Sequence, residues 1–131
     1  FDKVTAGADV VIHTASPFQM GVKNPEETLL KPAVEGTIDV LTSCKKSGTV
    51  KKVVLTSSVA AIEFDGKVPK GQVPTFTEED WNTTSGIKYE AYSLSKVRAE
   101  KAAWDFVKDI DDFSLVTVNP SLIVGPVLSK G

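Results

Sequence analysis

The sequence is short of several things, and each shortage excludes something. A single cysteine, Cys44, in 131 residues cannot close an internal disulfide, so a reducing, cytoplasmic setting is expected. Its place inside a helical apolar pattern predicts a small core residue rather than a reactive thiol. The only histidine is His13, which favours a structural role over a metal ligand or a base. No apolar run approaches the roughly 20 residues that cross a bilayer, so no membrane partner is expected. A basic surplus is missing too: 15 Lys and Arg stand against 17 Asp and Glu, for a net charge of −2. That argues against a nucleic-acid partner. The doublets Lys45-Lys46 and Lys51-Lys52 read as a solvated helix end and a strand entry. There is no internal repeat and no low-complexity tract. The opening Phe1-Asp2-Lys3 has no initiator Met and no long apolar region after it, unlike a signal peptide. It predicts an internal piece of a longer chain.

What is present is ordinary globular material, 41% hydrophobic and 24% charged, enough for one domain or part of one. Short β-branched runs alternate with long amphipathic stretches. Asp9–His13 is apolar on consecutive residues, as expected of a strand buried on both faces. Asn24-Pro25-Glu26-Glu27 predicts a helix start, with Asn as N-cap, Pro at the first helical position and acids in the first turn. Leu30, Val34, Thr37/Ile38 and Leu41 continue it at helical spacing. Pro32 should bend that helix or delay its regular start. Lys45-Lys46-Ser47-Gly48 should end it. A second strand is expected over 52–57, a loop excursion over 63–88 with a short helix starting at Thr77-Glu78-Glu79-Asp80, a second long helix from about Glu90 to Lys108, and a third strand over 114–118.

This order argues for an α/β domain, a doubly wound parallel sheet with helices on both faces. In such sheets ligands bind beyond the carboxyl ends of the strands. Those ends are His13-Thr14-Ala15-Ser16-Pro17, Thr56-Ser57-Ser58 and Asn119-Pro120-Ser121, small or polar enough for a cofactor to lie against them. Tyr92 and Lys96 stand four residues apart on one helix face. Alone, that spacing is weak and fits a surface Tyr packed on a Lys stem. Together with the serines it suits carbonyl reduction. A phenol ordinarily titrates near about 10, and a neighbouring ammonium lowers that value. A phenol so placed can give a proton to the oxygen that gains negative charge as hydride arrives, while Ser58 holds the same oxygen.

Ser-Ser after a strand, Tyr-x-x-x-Lys on the next helix and Val-Asn-Pro-Ser-Leu-Ile-Val-Gly-Pro resemble the extended short-chain dehydrogenase/reductase superfamily. Val-Ile-His-Thr-Ala-Ser-Pro, Pro-Ala-Val-Glu-Gly-Thr, Thr-Ser-Ser-Val-Ala-Ala and Tyr-Ser-Leu-Ser-Lys-x-x-Ala-Glu-Lys-Ala-Ala-Trp are similar to its dihydroflavonol 4-reductase/cinnamoyl-CoA reductase-like branch. The resemblance runs through nearly the whole chain. It implies a Rossmann-like fold, NADP(H) in preference to NAD(H), and a small-molecule carbonyl substrate. It gives the carbonyl-polarising position to Ser58 rather than Ser57, the acid position to Tyr92, and its partner's position to Lys96, which would also bind the ribose. Thr14, Ala15 and Ser16 would line the cofactor, Thr56 and Ser57 would approach it through their backbone, and Pro120 and Ile123 would border the nicotinamide. His13 matches a family position at the strand end.

Two positions depart from the family pattern. Ala33 stands where many members carry a catalytic Asn, so no side-chain relay is expected there. Glu63 stands where the flavonoid reductases have a substrate-contacting Asn, which weakens any claim to a flavonoid substrate. The family's Gly-rich phosphate loop is absent, as are the residue that separates NADP from NAD and the C-terminal substrate-binding part. Residues 1–131 thus read as part of one dinucleotide-binding domain. The expected activity is NADPH-dependent reduction of an aldehyde or ketone to an alcohol. The alternatives are an epimerase, dehydratase or hydroxysteroid dehydrogenase on the same scaffold, and a dinucleotide-sensing protein without turnover.

Overall fold

In the computed structural model, which describes residues 1–19, 21–63 and 71–126, the strands and helices alternate as the sequence predicts. A short helix α1 (Asp2–Thr5) precedes β1 (Val10–His13), α2 (Lys31–Ser47), β2 (Lys52–Thr56), α3 (Ala91–Val107) and β3 (Ser114–Val118). The strands pair in parallel in the order β1-β2-β3. The register sets Val11 beside Val53 and Val53 beside Leu115.

Side-chain alternation then decides what is covered. Val11, Val53, Leu55 and Leu115 face a core built with Val40, Leu41 and Cys44 from α2 and Ala103, Phe106 and Val107 from α3, closed by Val50 and Phe113. Cys44 is 1% exposed, the core residue expected of it. Burying side chains such as Leu41 and Val53 stabilises by about 1.5–3 kcal/mol each.

The opposite face differs from expectation. Val10, Ile12, Val116 and Val118 are 42–66% exposed, so among the described residues the strands are covered on one side only. The cause is topological. Both crossovers connect adjacent parallel strands and step the same way across the sheet; crossovers of one hand must then lay both helices on one face. Helices α2 and α3 accordingly pack against each other.

The start of α2 follows from Pro32. A proline has no amide to give the carbonyl four residues back. The turn before it, Glu26–Leu30, is wound as a π-helix, closed by the Lys31 amide on the Glu26 carbonyl, and regular α-helix begins only at Lys31. Asn24 contributes its carbonyl, which accepts from the Thr28 amide at 3.1 Å and the Thr28 hydroxyl at 2.8 Å. No side chain caps this start. At the far end Gly48 takes φ 64° and its amide reaches Lys45, the left-handed stop that a glycine permits.

The short helix expected from Thr77 is a single turn instead. The Asp80 carboxylate accepts from the Thr77 amide at 2.7 Å and the Thr77 hydroxyl at 3.1 Å. The chain then leaves, because the Asn82 amide bonds the Ala61 carbonyl at 2.8 Å. Of the expected 63–88 excursion, residues 64–70 lie outside the described residues.

Candidate active site

Beyond the carboxyl ends of the strands, the covered side of the sheet changes character. Lys96, Glu100, Ser57, Ser58, Ser95 and Thr37 are all buried. Helix α3 supplies the first two on the face that carries Tyr92, since residues 92, 96 and 100 recur every four positions. Its N-terminal turn starts from Glu90, whose φ of 55° is uncommon for a residue with a side chain. The Ser95 hydroxyl donates to the Tyr92 carbonyl at 2.6 Å.

Lys96 is 7% exposed, and its Nζ lies 5.8 Å from the centre of the Tyr92 ring. Burial pushes its ammonium below the usual lysine range, and the negative charge of Glu100 opposes that shift. No hydrogen bond or ion pair reaches the Lys96 ammonium among the described residues. His13, half-buried at the end of β1, is held below its ordinary value, chiefly by burial and then by the positive charge of Lys96. Among the described residues no three His, Cys, Asp or Glu side chains gather as a metal set.

The two serines at the end of β2 have different fates. The Ser57 hydroxyl donates to Glu100 Oε2 in a short hydrogen bond, and the Ser57 amide donates to the Val118 carbonyl at 2.8 Å. Only its carbonyl is left for a ligand. The Ser58 Oγ accepts from the Ala60 amide at 3.2 Å and so caps the 3-10 turn Val59–Ala61. Its hydroxyl proton has no acceptor among the described residues.

Ala15, Ser16, Thr56, Ser57 and Lys96 meet around one small cleft. Thr14, beside it in sequence, is exposed. The Pro120 carbonyl is tied to the Val59 amide at 3.0 Å, whereas Ile123 stands in solvent, 82% exposed. Tyr92 faces a separate cavity of about 390 Å³ with Gly21, Pro25 and Leu29 in its wall. Phe18 meets Tyr92 edge-on, ring centres 4.9 Å apart. Glu63 and Ser93 line a further cavity of about 510 Å³.

Sequence reasoning left out Glu100. Its carboxylate accepts from Ser57, from Asn119 Nδ2 at 2.9 Å and, on its other oxygen, from Trp104 Nε1 at 3.4 Å. The available signal was its place one turn beyond Lys96, on a face otherwise closed by Val97, Ala99 and Ala103.

Parallel strands with small residues at their carboxyl ends, and a Tyr/Lys helix between the second and third, define a Rossmann-type α/β domain. The model of the 3-beta hydroxysteroid dehydrogenase/isomerase family matches residues 1–130, and the chain belongs to that family. Over 132 residues it is 45% identical to cinnamoyl-CoA reductase CAD2 of Medicago truncatula, covering 98% of this chain and 39% of that protein. It is 39% identical to anthocyanidin reductase of Arabidopsis thaliana, over 95% and 37% of the two chains. Among solved structures, Gre2 of Candida albicans in complex with NADPH superposes with a TM-score of 0.86 at 43% identity, over 98% of this chain and 41% of that one. The chain thus spans about two fifths of the length of these relatives.

Proposed function

We infer that this chain forms the nicotinamide end of a cytoplasmic NADPH-dependent reductase that converts an aldehyde or ketone to an alcohol. The observation that carries the reading is Lys96, a buried lysine beside a phenol, with no acceptor among the described residues. The stem of Lys96 is buried while its Nζ keeps some contact with water, so its N–H groups are free to donate to ribose hydroxyls. The residues present fit such a cofactor. Thr14, Ala15, Ser16 and Thr56 are small enough for close approach, and Pro120 and Ile123 would border the nicotinamide. When bound, NADPH supplies the hydride.

The chain's own groups manage the proton and the charge. Tyr92 Oη gives its proton to the substrate oxygen as negative charge develops there. Ser58 donates its free hydroxyl proton in a hydrogen bond to the same oxygen. Lys96 holds the ribose and keeps a positive charge beside the phenol. The reductase direction is favoured by the names of the relatives. The family description favours a second reading, in which the same groups run in reverse on a steroid hydroxyl. Assaying aldehydes with NADPH against 3β-hydroxysteroids with an oxidised cofactor separates the two.

The test of the site is Tyr92→Phe in the whole protein. Removing the proton donor while keeping the ring should cut turnover by about 100-fold or more and leave NADPH affinity nearly unchanged. Retention of more than a few per cent of wild-type turnover would remove Tyr92 from the acid position and turn attention to Tyr89.

A further inference from the structure

Glu100 is a carboxylate 6% exposed at the meeting point of three elements, and the catalytic reading above gives it no task. A buried carboxylate needs several donors to offset its desolvation. Here two of the three donors come from the strand ends beside the site. Ser57 follows β2, Asn119 follows β3, and Trp104 is the outer donor, one turn along α3. Asn119 Nδ2 also donates to the Ser58 carbonyl at 3.1 Å, so the chain of bonds runs from Glu100 through Asn119 to Ser58. Lys96 stands one turn before Glu100 on the same helix face.

We propose that Glu100 is a positioning residue: its carboxylate ties the ends of β2 and β3 to α3 and thereby fixes Ser58 relative to Tyr92 and Lys96. The inference rests on the reductase reading of those three residues. Glu100 touches neither substrate nor cofactor in this role. Its second effect is electrostatic. Among the described residues the groups facing Lys96 are Tyr92 and Glu100 on α3 and His13 from β1, with the uncharged Ser16, Thr37, Thr56 and Ser57 at the cleft. Glu100 is therefore the one negative group among them, and its charge favours the protonated lysine.

An amide cannot replace this carboxylate. One Glu100 oxygen serves Ser57 and Asn119 and the other serves Trp104, whereas Gln has a single acceptor oxygen and an amide that donates. In either orientation at least one donor faces another donor.

The experiment is the pH profile of kcat/KM for the whole protein carrying Glu100→Gln, Glu100→Asp or Trp104→Phe, with Tyr92→Phe alongside. For Glu100→Gln, kcat/KM should fall about tenfold, and the alkaline limb should move to lower pH by about one unit, because Lys96 then loses its proton sooner. Glu100→Asp keeps the charge, so its limb should stay in place while its melting temperature falls. Trp104→Phe removes only the outer donor and should leave both kcat/KM and the limb unchanged. Wild-type kcat/KM and an unmoved limb in Glu100→Gln would overturn the proposal. Should that variant fail to fold, Asn119→Ala takes its place. It must lower kcat/KM about tenfold without moving the limb, and unchanged kcat/KM would again overturn the proposal. The outcomes separate cleanly: an active Tyr92→Phe defeats the underlying reductase reading, whereas an inactive Tyr92→Phe beside a wild-type Glu100→Gln defeats the Glu100 inference alone.

Discussion

The covered face of the sheet has two ends, and they are built from different chemistry. Toward the amino ends of the strands, Leu41, Cys44, Val50, Val53 and Phe113 make an apolar core, and the buried polar side chains beside it, Thr5 and Ser43, are uncharged and hydrogen-bonded. Toward the carboxyl ends, the same helix pair buries Lys96, Glu100, Ser57, Ser95 and Thr37. Apolar burial stabilises without conditions. A buried ammonium does not, because losing water costs more than a distant countercharge returns. The amino end therefore holds the domain together, and the carboxyl end is kept polar at a cost in stability, as expected of a site that needs those groups.

Substitutions at the two ends should separate stability from activity. The largest expected effect is at the hydrocarbon end. Leu41→Ala should destabilise the whole protein by about 2–5 kcal/mol, measured by urea unfolding, while the kcat of the folded fraction stays close to wild type. A matching loss of kcat would mean that the two ends are not separable.

A smaller effect is expected at the border between them, at His13. Its folded-state value lies below the ordinary 6.5 through burial and the neighbouring Lys96 charge. The unfolded chain therefore takes up the proton first. Stability linked to His13 is complete above about pH 6.5 and is lost as pH falls toward the folded-state value. In His13→Asn, the unfolding free energy should fall less steeply than wild type as the pH drops below 6.5. An identical slope in the two proteins would show that His13 does not carry this dependence.

The two ends were not equally legible in the sequence. The strands and both long helices were legible, because β-branched runs and helical spacing report burial against hydrocarbon. Gly48 and Pro32 were legible because each acts through its own backbone. One-sided coverage of the sheet was legible only through the expectation that the first strand–helix unit of the domain is missing, since Val10, Ile12, Val116 and Val118 look the same in sequence whether or not a second layer covers them. The turn at Thr77 was misread as a helix start because an acid three residues after a threonine serves either purpose. Tyr92, Lys96 and Ser58 were found through type, spacing and resemblance. Glu100 was missed because a lone acid on a helix usually faces water, and only the fold brings Ser57 and Asn119 to it from 43 and 19 residues away.

In the reductase reading, the buried carboxyl-end cluster serves the cofactor at the expense of stability. Thermal unfolding of Lys96→Met in the whole protein, with and without NADPH, tests it most directly. Methionine fills a similar volume without a charge to desolvate, so the ligand-free variant should melt no lower than wild type, while the upward shift produced by NADPH should be largely lost. A variant that melts several degrees lower than wild type without ligand, yet keeps the full NADPH shift, would contradict the account.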